Sequence, residues 1–313
     1  MNNTLRPDVI SVIIPCYNCA THLPACLNAL LNQTYDPEKL EIILINDGSS
    51  DSTGDIIDAY EKTFLAKKAA YHKVYQQNMG VGAAMNTGLK YISGEFMLWQ
   101  DSDDYLEANA LEKLHSYLKS HNELSFVRGE VNFRSEKNPE IILKTGRSLH
   151  QEQQYIGDML TNRRVIYCLS GCFMGRSAVF FENNQGNDIY PSRAGQNYQL
   201  LIPFATAGLC GYLPEVVLNC LVRAASLSHA QKSLLQQLKQ KQEYVKIWRY
   251  TMERIKLPDD KKKKLLAKAN KKFMKKIRHV KKKLFIHWLL GKVKDLSFMQ
   301  LLKIVFKNET ISI

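Results

Sequence analysis

The run Asp101-Ser102-Asp103-Asp104 places three carboxylates within four residues. Asp101 and Asp103 stand two apart, so on a turn leaving a strand both can face one side. There they offer hard oxygen ligands to a divalent cation such as Mn²⁺ or Mg²⁺. An ion so held is useful where negative charge builds on a leaving phosphate. The competing reading is a solvated turn that caps a helix beginning near Leu106. Three other runs precede this one. Ser11-Val12-Ile13-Ile14-Pro15-Cys16-Tyr17-Asn18 closes an apolar stretch with a proline that fixes the backbone and a ring able to stack on a flat ligand. Ile45-Asn46-Asp47-Gly48-Ser49-Ser50-Asp51 closes a second with an acid and a glycine that permits a tight turn. Gln77-Asn78-Met79-Gly80-Val81-Gly82 follows a third, and Asn86-Thr87-Gly88 comes one helical turn later. Asp47 either accepts a hydrogen bond from a ligand or caps the next helix. Ser50, Asp51 and Ser52 already offer caps, which favours the ligand. Gly80-x-Gly82 with Asp101 farther on could also open a dinucleotide site. However, Met85 stands where the third glycine belongs, and two strand–helix units come first.

These runs need a scaffold that brings them to one edge. Apolar runs over Val9–Pro15, Glu41–Asn46, His72–Gln76 and Glu95–Gln100 predict strands. Helical periodicity fills His22–Asn32, Ser52–Leu65, Val81–Ile92 and Glu107–Ser120. Continuous apolar strands alternating with helices predict an α/β fold with a mainly parallel central sheet flanked by helices. Ligands of such sheets sit beyond the carboxyl ends of the strands, where all four runs fall. From Leu124 to Leu221 the pattern is mixed, with a helix expected over Asn197–Ala207.

The order and spacing of the four runs resemble glycosyltransferase family 2, whose members carry SxxPxYN, NDGSxD, QNxGxxxxxNxG and DxDD. The resemblance is strong over Val9–Tyr105 and thin across Arg176–His229. It implies a GT-A domain over residues 1–229, with a nucleotide-sugar half at 1–106 and an acceptor half at 107–229. Residues 230–313 would form a helical, basic extension. The implied activity is transfer of a hexose from a nucleotide sugar, commonly UDP-linked, to a saccharide or lipid-linked acceptor in surface polysaccharide synthesis. By this resemblance Asp103 ligates Mn²⁺ or Mg²⁺, while Asp101 touches ribose, sugar or the ion. Asp47 accepts a hydrogen bond from the base, Tyr17 stacks near it beside Pro15, and Asn78 lines the nucleotide-sugar site. Arg223 and Ser226–His229 resemble a segment that closes over the diphosphate, with His229 as a third metal ligand or phosphate contact. Otherwise His229 is a surface histidine.

The chain departs from this pattern twice. Many relatives place an arginine before the asparagine of the third run, where it helps hold the donor; here the residue is Met85. Relatives also supply a catalytic acid from a Gly-Glu-Asp-Tyr-like helix start, and the matching stretch here is Gly195-Gln196-Asn197-Tyr198. Amides cannot take a proton at neutral pH. Gln196 and Asn197 then face the acceptor, and Asp188, the nearest carboxylate in sequence, becomes the substitute base. The alternative is a non-catalytic relative that binds nucleotide sugar or glycan.

Composition bears on the remainder. The net charge of +13 belongs to one segment: Lys261–Lys294 holds fourteen Lys, one Arg and no acid, which leaves the rest of the chain slightly acidic. That distribution argues against a nucleic-acid binder. In this segment Leu266, Ala269, Phe273, Ile277, Val280, Leu284 and Trp288 recur every three or four residues, an apolar stripe opposite the lysines. Such a helix can lie on an anionic membrane surface or pack against its own protein. The N-terminus lacks the pattern of a secretory signal, and seven cysteines make an odd count that suits free thiols. The expectation is a cytoplasmic protein, peripheral on the inner face of the cell membrane.

Overall fold

The computed structural model describes residues 4–147, 170–222, 232–290, 292–293 and 297–306. It begins with alternating strands and helices: β1 (Arg6–Cys16), α1 (Leu23–Leu31), β2 (Leu40–Asp47), α2 (Thr53–Ala66), β3 (Ala70–Gln76), α3 (Val81–Leu89) and β4 (Gly94–Trp99). β1 pairs in parallel with β2 on one side and β4 on the other, and β3 extends the ladder beyond β2. Every residue of β2 is buried, as are Val9–Ile14 of β1, because helices cover both faces of these apolar strands. The chain leaves β1 outward to β2 and β3, then returns past β1 to form β4. This reversal opens a crevice at the carboxyl ends of β1 and β4.

The second part is antiparallel where it meets the first. Next come β5 (Tyr105–Leu106), α4 (Ala110–Ser120), β6 (Leu124–Ser135), β7 (Ile142–Gly146), β8 (Phe173–Arg176), α5 (Ser177–Asn183), α6 (Gln196–Ala207) and β9 (Leu209–Val222). The nine-stranded sheet runs β3-β2-β1-β4-β8-β6-β9-β5, with β7 on β6. β8 bridges β4 and β6 in antiparallel fashion, and the long β9 lies parallel to β6. The architecture is α/β, as expected, with a central sheet and a C-terminal helical unit.

Glu41 ties the amino ends of three strands together. Its buried carboxylate accepts from Ser11 Oγ on β1, from Ser93 N and Oγ (2.9 and 2.7 Å) just before β4, and pairs with His72 Nε2 on β3 (3.3 Å). Burial alone would raise its pKa, but the hydrogen bonds from His72, Ser11 and Ser93 outweigh it and hold the carboxyl below its usual range. The folded-state value is depressed, so this clamp stabilises the protein above about pH 4.5, and that stability is lost as pH falls through the lowered pKa.

The chain divides into two compact units, the described residues up to 222 with Arg254–Lys256 forming the first. The three returning residues attach through an Asn184–Ile255 β-bridge and the bond from Gln185 N to Arg254 O (2.9 Å). The second unit is helical, built from α7 (Leu234–Arg254, all but its last residue), α8 (Asp259–Leu289) and α9 (Phe298–Phe306). Leu238, Ile277 and Val280 form its buried centre, with Leu234, Val245, Met274 and Ile304 packed around them. The apolar stripe of α8 is therefore used inside its own unit: Ala269, Ile277, Val280 and Leu284 are buried, and the Phe273 ring lies 6.5 Å from that of Trp248. Of the two expected occupants of that stripe, its own protein takes at least these four residues out of water. No described helix is long and apolar enough to cross a membrane.

Candidate active site at the carboxyl edge of the sheet

The Asp101–Asp104 turn begins where β4 ends. Gln100 N donates to Ile13 O (2.9 Å), carrying the β1–β4 ladder to the base of the turn. Asp104 N donates to Asp101 O (3.2 Å) and Gln100 Nε2 to Asp104 O (2.9 Å), so the loop closes on itself. Asp104 points inward, 4% exposed, and accepts from Leu221 N near the end of β9 (3.0 Å). Burial, with the neighbouring Asp103 and Asp101 carboxylates, pushes its pKa well above the ordinary carboxylate range. Asp101 and Asp103 are only half-buried. Carboxylate oxygens of all three lie within 4.8 Å of one another. Two oxygens bound at about 2.1 Å to one ion can be at most about 4.2 Å apart, so a movement of a few tenths of an ångström lets Asp101 and Asp103 share a divalent cation. No cysteine belongs to this group, and the six described cysteines are free thiols. The Cys16-x-x-Cys19 pair is thus packed into the fold beneath the β1 loop, both residues buried.

The loops after β1 and β2 organise one another. Asn18, at φ +46°, donates its N–H to Ser49 Oγ (3.0 Å) and accepts from Ser50 N (2.8 Å), so it shapes the turn. Gly48, at φ +72°, lies against the third run: a Cβ there would come 2.7 Å from Asn78 N. Only glycine fits that approach. Asp51 accepts from Ala20 N and Thr53 N, locking the start of α2 to the β1 loop.

Asp47, 3% exposed, accepts from Gln76 Nε2 (2.7 Å) and Met79 N (3.0 Å) through Oδ1, and from Gly80 N (2.8 Å) through Oδ2. It does not cap α2; it ties down the loop that opens α3. Gln76 is held in turn by Thr87 Oγ1, which donates to its Oε1 (2.7 Å). Nothing in the sequence assigned a role to Gln76, which precedes the third run, or to Thr87, which lies inside Asn86-Thr87-Gly88. Asn78 Oδ1 is buried without a hydrogen-bond partner, an unspent acceptor beside this loop. Tyr17 is 52% exposed beyond Pro15, open to stack on a ligand.

The acceptor-side residues separate. Asn197, in the first turn of α6 beside Gln196, accepts from Trp99 Nε1 (2.8 Å) two residues before Asp101. The fold therefore places Asn197, where an acid was expected from the resemblance, against the strand that leads into the Asp101–Asp104 turn. Asp188 is set back. Asn86 and Ile189 exchange two bonds of 2.8 Å, and Gly82 N donates to Ser192 O (2.9 Å), so residues 189–192 climb α3 towards its start. Asn86 stands about 6 Å farther from that start than Gly82 does, at 1.5 Å per residue. Asp188 precedes Ile189 and pairs with Arg254 Nε at 3.1 Å. His229 and Arg223 lie outside the described residues.

Known proteins resemble this chain in sequence and in fold. Glycosyltransferase GlyA of Streptococcus pneumoniae is 38% identical over 111 residues, 36% of this chain and 15% of that protein. Poly(ribitol-phosphate) beta-N-acetylglucosaminyltransferase TarS of Staphylococcus aureus is 30% identical over 183 residues, 58% of this chain and 29% of that protein. The chain covers half or less of the length of the first curated relatives it matches. In structure, TarS residues 1–349 in complex with UDP-GlcNAc superpose with a TM-score of 0.63 at 20% identity, over 95% of this chain and 79% of that one. The mannosyltransferase PcManGT of Pyrobaculum calidifontis, in complex with GDP-Man and Mn²⁺, gives 0.57 at 17% identity, over 91% and 76%. The family model described as glycosyl transferase family 2 matches residues 11–182, more than half of the chain. With those motifs placed at one edge of a GT-A sheet, the chain belongs to glycosyl transferase family 2.

Proposed function

We propose that the protein transfers a hexose from a nucleotide sugar, UDP-linked, to a saccharide or lipid-linked acceptor in surface polysaccharide synthesis. The observation that supports this reading is that Asp101 and Asp103 follow β4 on the same carboxyl edge of the parallel strands that presents Tyr17 after β1, Asp47 at the end of β2 and Asn78 after β3. TarS complexed with UDP-GlcNAc supports the donor class, and PcManGT complexed with Mn²⁺ supports the metal. Asp101 and Asp103 would hold Mn²⁺ or Mg²⁺, which would supply positive charge to offset that on a departing diphosphate. Pro15 and Tyr17 bracket the base, Asp47 keeps a lone pair for it, and Asn78 Oδ1 accepts from the nucleotide. Gln196 and Asn197 line the acceptor side.

A second reading, a relative that binds nucleotide sugar without transferring it, is favoured by two observations: the amides at 196–197 and the Asp188–Arg254 pair. One experiment tests the proposal and separates the two. Purified protein is incubated with Mn²⁺ and radiolabelled nucleotide sugars, and both binding and sugar release are measured. Metal-dependent binding with release is expected of the transferase, and binding without release or transfer of the second reading. No binding of any nucleotide sugar would overturn both.

The proposed site of work is the inner face of the membrane. The stripe of α8 is spent on its own core, so contact falls to the exposed lysines, among them Lys264, Lys268, Lys271, Lys275 and Lys282. Near an anionic surface each is worth about 1 kcal/mol, and salt screens the effect. Flotation with phosphatidylserine-containing vesicles should carry the protein at low salt and release it at high salt. Equal flotation with neutral vesicles would remove this proposal.

A further inference from the structure

The third run lacks the arginine that relatives use near the donor, and the structure shows that Met85 cannot be its equivalent. Met85 is fully buried, on the core face of α3. A cation is nevertheless delivered to the start of that helix by another part of the chain. Residues 189–192 are fastened along α3 by the Asn86–Ile189 pair and the Gly82–Ser192 bond. Arg193 is the next residue. A Cβ built on Gly80 would lie 2.8 Å from Arg193 Cγ and 3.5 Å from its Cα, so the arginine stem rests directly on Gly80. Gly80, at φ +90°, is the residue whose N–H Asp47 holds. Asp47 and Arg193 thus grip the same loop from two sides, and Arg193 is exposed. Among the described residues no carboxylate pairs with it.

We infer that Arg193 is a donor-binding residue of this chain, engaging the diphosphate of the nucleotide sugar in place of the missing helix arginine. The inference rests on the donor reading above. The guanidinium fits the role because it is always charged and can grip two phosphate oxygens at once. Its setting adds to this, because the amino end of α3 also favours negative charge.

The test compares UDP, which carries the diphosphate, with uridine, which does not, each titrated in Mn²⁺ against the parent, Arg193→Ala and Arg193→Lys. Arg193→Ala should bind UDP about tenfold or more weakly, the scale of one charge-assisted contact, with uridine unchanged. Arg193→Lys should recover part of the loss. Equal UDP affinity in the parent and the alanine variant overturns the assignment while the donor reading stands. Equal weakening of UDP and uridine overturns it as well, since Arg193 would then only prop the loop. A parent that binds neither ligand overturns the donor reading and this assignment together.

Discussion

Asp103→Ala is expected to abolish the gain in UDP affinity that Mn²⁺ confers and to lower sugar transfer about a thousandfold. The rate figure follows from the several kcal/mol that a bound cation contributes to a developing phosphate charge, at 1.36 kcal/mol per factor of ten. Asp103 matters more than Asp104 for a structural reason. Asp104 faces inward and already accepts the Leu221 N–H, which leaves Asp101 and Asp103 to meet an ion. The turn itself is closed by main-chain bonds and by Gln100, so the substitution leaves its shape intact. Calorimetric titration of UDP with Mn²⁺ or with chelator checks this. If the unmutated protein binds UDP equally well in both, the metal reading of the turn is wrong.

Asp47→Ala has the second large expected effect, and it divides into two measurable parts. The first is stability. Asp47 accepts two main-chain N–H groups and one side-chain amide, and hydrogen bonds to a charged group contribute about 1.5–3 kcal/mol each. With partial rescue by solvent we expect a loss of about 3 kcal/mol, which lowers Tm by roughly 6–12 °C in a unit of this size. The second part is recognition: UDP should weaken by more than pyrophosphate does, because only UDP carries the base. An unchanged Tm with lost UDP binding would make Asp47 a ligand contact and nothing else. A lowered Tm with equal weakening of both ligands would leave it only the loop-holding role.

The first half of the fold was legible in the sequence because its strands are buried on both faces and read as unbroken apolar runs. Strand ends and helices there lie within a few residues of expectation; β2 was expected over Glu41–Asn46 and spans Leu40–Asp47. The long β6 and β9 were hidden. Arg128, Glu130, Asn132 and Arg134 alternate with apolar residues along β6, and the pairing partner lies some eighty residues away. Hydrophobic periodicity reports which side of a segment is apolar, not which distant strand it meets. The site was readable where an acid and a glycine share a turn, as at Asp47-Gly48. It was not readable where tertiary contact decides: Gln76 and Arg193 lie outside the four runs, and Thr87 lies inside one without its partner Gln76 being evident. Asp188 was singled out only as the nearest carboxylate in sequence; its pairing with Arg254, sixty-six residues on, was not legible there. The stripe of α8 was legible as a period, but its occupant was not, since a period fits a lipid and a neighbouring helix equally well.

The bond from Leu221 N to Asp104 has a bearing on how this protein is made. During synthesis the Asp101–Asp104 turn emerges more than a hundred residues before the strand that anchors it. β9 must insert between β6 and β5, and the loop closed by that pairing spans 117 residues. Such a late, long-range contact makes completion of the carboxylate turn one of the slower steps of folding. The segment matched by the family model stops at residue 182, before β9 begins, and Ile255 still has to return to Asn184. A nascent chain released at that point would expose an unpaired flank of β6 and carry its acids on an unanchored turn. The compact unit that holds the carboxylate turn therefore draws on residues as late as Lys256.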